Sequence, residues 1–135
     1  MTPDDIALVQ DSFEKVPGIA AKLFYARLFE QAPHLRPMFG TDMEAQGKKL
    51  MAMIAAAVNG LNDIERLLPV VRDLGARHEG YGVEPEHYEI VGEALIWTLE
   101  QGLGDDFTEE VKQAWIEVYN ALSSTMIEAA HAMAA

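Results

Sequence analysis

Residues 23–39 read Leu23-Phe24-Tyr25-Ala26-Arg27-Leu28-Phe29-Glu30-Gln31-Ala32-Pro33-His34-Leu35-Arg36-Pro37-Met38-Phe39. The left half is helical in pattern, with Leu23, Phe24, Leu28 and Phe29 at the spacing that gathers apolar side chains on one side of an α-helix. Ala32 precedes a proline, which pushes it out of the α region and ends the helix. Pro33 to Pro37 leaves room for one short turn of helix. Met38-Phe39-Gly40 follows, and Gly40 to Met43 reads as a loop. A ring as large as Phe39 at such a place needs something to pack on, either local core or a flat ligand.

The same grammar extends outward. Thr2, with Pro3, Asp4 and Asp5 behind it, caps a first helix whose apolar stripe is Ile6, Val9 and Phe13, and Pro17-Gly18 breaks it. The helix of the opening stretch starts near Ile19. A third runs from about Glu44 to Asn59 with Gly60 as its stop. A fourth starts at Asn62 or Asp63 and ends at Gly80, and Pro69 inside it predicts a kink or a helix in two pieces. Tyr81-Gly82-Val83 is a turn. A fifth runs from about Pro85 to Gln101, stopped by Gly102, and Thr108 caps the last. No alternating β-branched run appears. The expectation is an all-α chain of six long helices and one short one, forming one domain over residues 1–135.

Composition narrows the chemistry. Half of the 135 residues are apolar, enough for a sizeable core, and none is cysteine. Disulfides, zinc–thiolate sites, iron–sulfur clusters, thiol nucleophiles and thioether-linked haem are therefore excluded. The net charge of −12 disfavours nucleic acid and anionic membrane surfaces as partners. The N-terminus has no basic region before an apolar one, and Met51 to Val58 is too short to span a bilayer, so a cytoplasmic protein is expected.

Among residues that could carry chemistry, His78 follows Leu67, Val71 and Leu74 on the apolar face of the fourth helix. It suits an axial metal ligand, but on spacing alone a core histidine bonded to a carbonyl is the commoner case. Tyr25 offers a hydroxyl and Gln46 an amide to a ligand, although an interior tyrosine and a first-turn surface glutamine explain them as well. His34, His87 and His131 show no metal-like spacing and read as surface residues. Trp97 and Trp115 read as core. Carboxylate pairs such as Asp105-Asp106 and Glu109-Glu110 fall at helix starts, where the helix dipole accounts for them.

Taken in order, these residues resemble the globins, most closely the single-domain bacterial haemoglobins and the haem domain of flavohaemoglobins. Leu23 to Phe29 followed by Pro33 to Phe39 looks like the second globin helix running into the short third one. Gln46 and Leu50 sit at the distal ligand-contact positions. Leu74-Gly75-Ala76-Arg77-His78 and Tyr81-Gly82-Val83 match the proximal helix and its corner. His87 to Gly92 matches the start of the next helix, and Ala114-Trp115 with Val118-Tyr119 the last. The resemblance covers essentially the whole chain.

It implies a globin fold around b-type haem (iron protoporphyrin IX) with His78 as the iron ligand. Phe39, Leu50, Leu74, Val83, Tyr88 and Val91 would contact the haem. Tyr25, Gln46 and Leu50 would face a bound gas: oxygen, nitric oxide or carbon monoxide. Arg77 or Lys49 would pair with a propionate. Glutamine is a poor iron ligand, so the ferrous resting state is expected to be five-coordinate. In this lineage a tyrosine and a glutamate support the proximal histidine. Tyr88 matches the tyrosine, but Ala130 stands at the glutamate's position, with Glu128 the nearest acid. No flavin or nicotinamide domain follows in this sequence. The implied function is reversible gas binding, with nitric oxide dioxygenase activity served by a separate reductase as the alternative, and a homodimer as one assembly open to the chain.

Overall fold

The computed structural model describes residues 2–16, 19–39, 42–80 and 85–134, with the side chains of 79, 85 and 131–134 left out of the description. Six α-helices appear among these residues: α1 (Pro3–Phe13), α2 (Ala20–Gln31), α3 (Met43–Gly60), α4 (Ile64–Gly80), α5 (Pro85–Leu103) and α6 (Glu109–Ala134). Short 3-10 helices cover Pro33–Met38, Leu61–Asp63 and Gly104–Asp106, and no described residue is in a strand. The all-α architecture of six long helices matches the sequence expectation. The expected breaks at Pro17-Gly18, Gly40 and Tyr81-Gly82-Val83 lie outside the described residues.

Local chemistry explains the helix ends. Thr2 and Asp5 close a capping box, the Thr2 hydroxyl accepting from the Asp5 N–H at 3.1 Å and the Asp5 carboxylate from the Thr2 N–H at 3.0 Å. The Asp42 carboxylate accepts from the Ala45 N–H at 3.1 Å, and the Thr108 hydroxyl from the Val111 N–H at 3.3 Å. Two of the expected glycine stops are displaced. Gly60 keeps a right-handed backbone and α3 passes directly into the Leu61–Asp63 turn, while α5 continues through Gly102 to Leu103. Among the described residues Gly104 is the glycine with positive φ, at 55°, and there α5 gives way. Pro69 lies within α4 without splitting it. It withdraws one hydrogen bond from the carbonyl of Glu65, which lies on an exposed residue and is open to water.

Helices α4 and α6, α1 and α6, and α2 and α5 form the main packed pairs. One buried cluster joins Val9, Val58, Leu61, Leu67, Val71, Leu99 and Trp115. Inside it the Trp115 indole donates to the Ser12 hydroxyl at 2.8 Å, which donates to the Val9 carbonyl at 3.1 Å, so the buried polar atoms are satisfied. A second cluster joins Phe24, Tyr25, Leu28, Ala32, Leu35 and Ala94, and the half-buried Phe39, Leu50, Ile90 and Val91 pack against it. No helix among the described residues is long and apolar enough to cross a membrane.

Helix α4 lies so close to α6 that a Cβ on Gly75 would collide with the Met126 backbone carbonyl. Backbone meets backbone here, and no side chain can rotate aside. Gly75→Ala should therefore force the helices apart and destabilise the protein by about 1–3 kcal/mol, as overpacking in a rigid core does. Denaturant unfolding measures it; an unchanged midpoint would contradict so tight a contact.

Candidate functional site

The site is built from the opening stretch, α3, α4 and α5. On α4, Leu67 and Val71 are buried, whereas Leu74 and His78 are half-buried. The apolar stripe therefore enters the core at its start and emerges from it at His78. The His78 Nδ1 lies 2.8 Å from the Leu74 carbonyl oxygen. A carbonyl only accepts, so Nδ1 carries the hydrogen and donates it. That bond, one helical turn back, fixes the plane in which the ring lies.

On the other side, α2 and α3 cross at Gly47. A Cβ there would sit 3.1 Å from the Ala21 Cβ, so the glycine lets the helices approach. Ala21 is one turn before Tyr25, and Gly47 follows Gln46, so this crossing brings the tyrosine and the glutamine together. Their side chains are hydrogen-bonded. Tyr25 is buried, and burial raises the pKa of its phenol above the usual value. The Gln46 bond works against that rise, as an amide N–H donating to the phenol oxygen does. The Tyr25 ring stacks on Phe29 at 5.8 Å between centroids and meets Phe39 edge-on at 5.4 Å. Phe39 thus has its aromatic packing, and its ring remains half-buried.

Tyr88 is half-buried on α5, and its buried hydroxyl has no hydrogen-bond partner among the described residues. Burial raises its pKa. Ala130 has no polar group to offer it, and Glu128 is exposed. The Tyr119 hydroxyl instead donates to the Tyr88 backbone carbonyl at 2.6 Å. Its ring reaches that point because Gly92 has no Cβ, which would lie 2.7 Å from the ring. Burial above all, with the nearby Tyr88, raises the Tyr119 pKa strongly.

Among the expected contact residues, Phe39, Leu50, Leu74, His78, Tyr88 and Val91 are all half-buried, the condition of a surface a flat group would cover. Val83 lies outside the described residues. Arg77 is paired with Asp73 at 3.0 Å on its own helix, and Lys49 is exposed. A small cavity of about 20 Å³, lined by Phe24, Leu50, Ile54 and Leu95 among others, lies behind Leu50. A larger open groove of about 490 Å³ lies between α5 and α6, lined by Tyr88, Gly92 and Tyr119 as well as by Trp97, Glu100 and Lys112. Trp97 is a groove residue, not the core residue expected: it is half-buried, with the Arg27 guanidinium 5.1 Å above its ring.

One pairing was not visible in the sequence. His34 and His87, 53 positions apart, lie with ring centroids 6.4 Å from each other. No spacing rule connects a residue of the Pro33–Met38 turn to one in the first turn of α5. Only the packing of α2 against α5 does so.

The globin family model matches residues 22–126, and the chain belongs to the globin family, a family of gas-binding haem proteins. It is 34% identical to a flavohemoprotein of Bacillus subtilis over 90% of this chain and 32% identical to a neuroglobin of Danio rerio over 93% of it. The match takes in 90% of that neuroglobin. By contrast, the chain spans 30% of the length of the Bacillus subtilis flavohemoprotein and 27% of that of Halalkalibacterium halodurans. An engineered carbene transferase from Rhodothermus marinus, also named as a nitric oxide dioxygenase, superposes with a TM-score of 0.87 at 26% identity, over 99% of this chain and 96% of the other. A bacterial globin from Campylobacter jejuni has the same fold, with a TM-score of 0.84 at 24% identity, covering 98% and 99% of the two chains.

Tyr25, Tyr88 and Tyr119 share raised pKa values caused first by burial. In the folded state they stay neutral where an unfolded chain would ionise. Their contribution to stability is fully present below about pH 10 and is lost as pH rises above it. An ultraviolet titration should show three of the four tyrosines ionising late, together with alkaline unfolding; full ionisation near pH 10 with the fold intact would contradict their burial.

Proposed function

We propose that this chain binds b-type haem through His78 and takes up diatomic gases reversibly, oxygen above all, beside Tyr25 and Gln46. The observation that carries the reading is the combination, in one globin chain, of His78 oriented by the Leu74 carbonyl with the buried Tyr25–Gln46 pair. The residues present suit the group. The half-buried faces of Phe39, Leu50, Leu74 and Val91 offer it apolar surface, and the absence of cysteine leaves non-covalent binding.

When bound, haem supplies an iron atom that a diatomic gas can occupy. The chain's own residues do the rest. His78 has its Nδ1 hydrogen engaged on the Leu74 carbonyl, which leaves Nε2 as the nitrogen for the metal. Gln46 donates to the Tyr25 oxygen and leaves the phenolic hydrogen to donate to the gas. Leu50 limits the space. The Tyr88 hydroxyl has no hydrogen-bond partner among the described residues, and without an acid bonded to it that hydroxyl would add little to the electron donation of the His78 imidazole.

The second reading, nitric oxide dioxygenase with an external reductase, has the flavohemoprotein relatives and the name of the Rhodothermus marinus protein in its favour. The same pocket would serve it, and the unpaired Tyr88 weighs for simple binding.

Absorption spectra of the ferric, ferrous and carbon monoxide forms test the reading. A Soret band that shifts with carbon monoxide is expected, and a colourless protein would refute it. Tyr25→Phe removes one hydrogen bond to the gas and should speed oxygen dissociation about fivefold, from the roughly 1 kcal/mol such a bond contributes. An unchanged rate in stopped flow would remove Tyr25 from the site. Nitrate formation at a steady rate with added reductase would favour the enzymatic reading over storage or delivery.

A further inference from the structure

The chain's four histidines divide into His78, His131 and the pair that the fold assembles, His34 with His87. His34 is exposed on the Pro33–Met38 turn, and His87 is half-buried in the first turn of α5. Their rings are tilted by 51° with centroids 6.4 Å apart. We propose that His34 and His87 form a two-imidazole site for a divalent first-row metal ion, of the kind zinc exemplifies.

The ring spacing is within reach of a shared ion. A zinc–nitrogen bond of about 2.0–2.1 Å places each ring centroid about 3.2 Å from the ion, so two imidazoles at a tetrahedral angle have centroids about 5.2 Å apart. The observed spacing is larger by about 1.2 Å, an adjustment within the side-chain rotation open to the exposed His34. Imidazole nitrogen is a preferred donor for zinc, copper and nickel, and not for magnesium or calcium. The net charge of −12 raises the local concentration of divalent cations near the surface. No cluster of three or more His, Cys, Asp or Glu ligands occurs among the described residues, so the proposed pair supplies two ligands and leaves the other positions open to water. Binding is accordingly weaker than at a four-ligand structural site.

The position gives the ion something to do. The Pro33–Met38 turn leads into Phe39, and α5 carries Tyr88 and Val91 one turn or less beyond His87. An ion held by both histidines ties the segment bearing Phe39 to the helix bearing Tyr88. Metal binding at the surface would thus stiffen two walls of the proposed haem site, yet the metal site itself does not depend on haem.

Calorimetric titration of the purified protein, haem included, with zinc chloride in mildly alkaline buffer is the test. The wild-type chain should take up about one equivalent, and either His34→Ala or His87→Ala should weaken binding about tenfold or more, as loss of one of two ligands requires. His131→Ala should bind as the wild type does. Melting curves without zinc establish that the variants are folded. If the wild type binds no zinc, or if both single variants keep its affinity, the site does not exist. In protein lacking haem His78 is a further imidazole, but the same two variants still distinguish the surface pair from it, so failure here leaves the haem reading untouched.

Discussion

The close approach of α4 to α6 at Gly75 is the constraint from which the site follows. A helix whose backbone rests against another's, with the position of a Cβ already taken by the Met126 carbonyl, has little freedom to roll or slide. Leu67 and Val71 anchor the first half of α4 in the core, and Gly75 fixes its second half. The direction in which His78 leaves the helix is then determined, and the Leu74 carbonyl sets the rotation of its ring. The Tyr88 hydroxyl, by contrast, has no hydrogen-bond partner among the described residues.

The opposite wall follows the same logic on a smaller scale. Gly47 allows α3 to sit against Ala21 of α2, and that contact puts Gln46 within reach of Tyr25. Each wall is therefore placed by a glycine and finished by a hydrogen bond. The two bonds differ in what they leave over. The Leu74 bond consumes the His78 proton, whereas the Gln46 bond leaves the Tyr25 proton available. In the proposed reading, an oriented imidazole on one side and a hydrogen donor on the other would suit the holding of a gas more than its reduction.

Much of this was legible in the sequence, and particular residues show why some was not. Thr2 and Thr108 announced helix starts, because capping needs only neighbours in sequence. Gly60 and Gly102 misled, because a glycine stops a helix only where the backbone turns left-handed, and that conformation falls at Gly104. Pro69 suggested a break, but near an exposed N-terminal turn the missing hydrogen bond goes to water and the helix continues. Tyr25, Gln46 and His78 were singled out by residue type and order, while the Tyr25–Gln46 bond needed the helix crossing to be seen. Trp97 and the His34–His87 pair escaped altogether, since both owe their surroundings to α2 lying on α5, and local pattern carries no trace of that.

The central proposal is that His78 ligates haem iron through a ring oriented by its own helix. Resonance Raman spectroscopy of the ferrous, gas-free protein tests it most directly. The account predicts a five-coordinate spectrum with an iron–histidine stretching band on the low-frequency side, where neutral imidazoles fall. That band should be absent in His78→Ala and unmoved in Tyr88→Phe. A six-coordinate spectrum, or a high-frequency band that drops when the Tyr88 hydroxyl is removed, would contradict it.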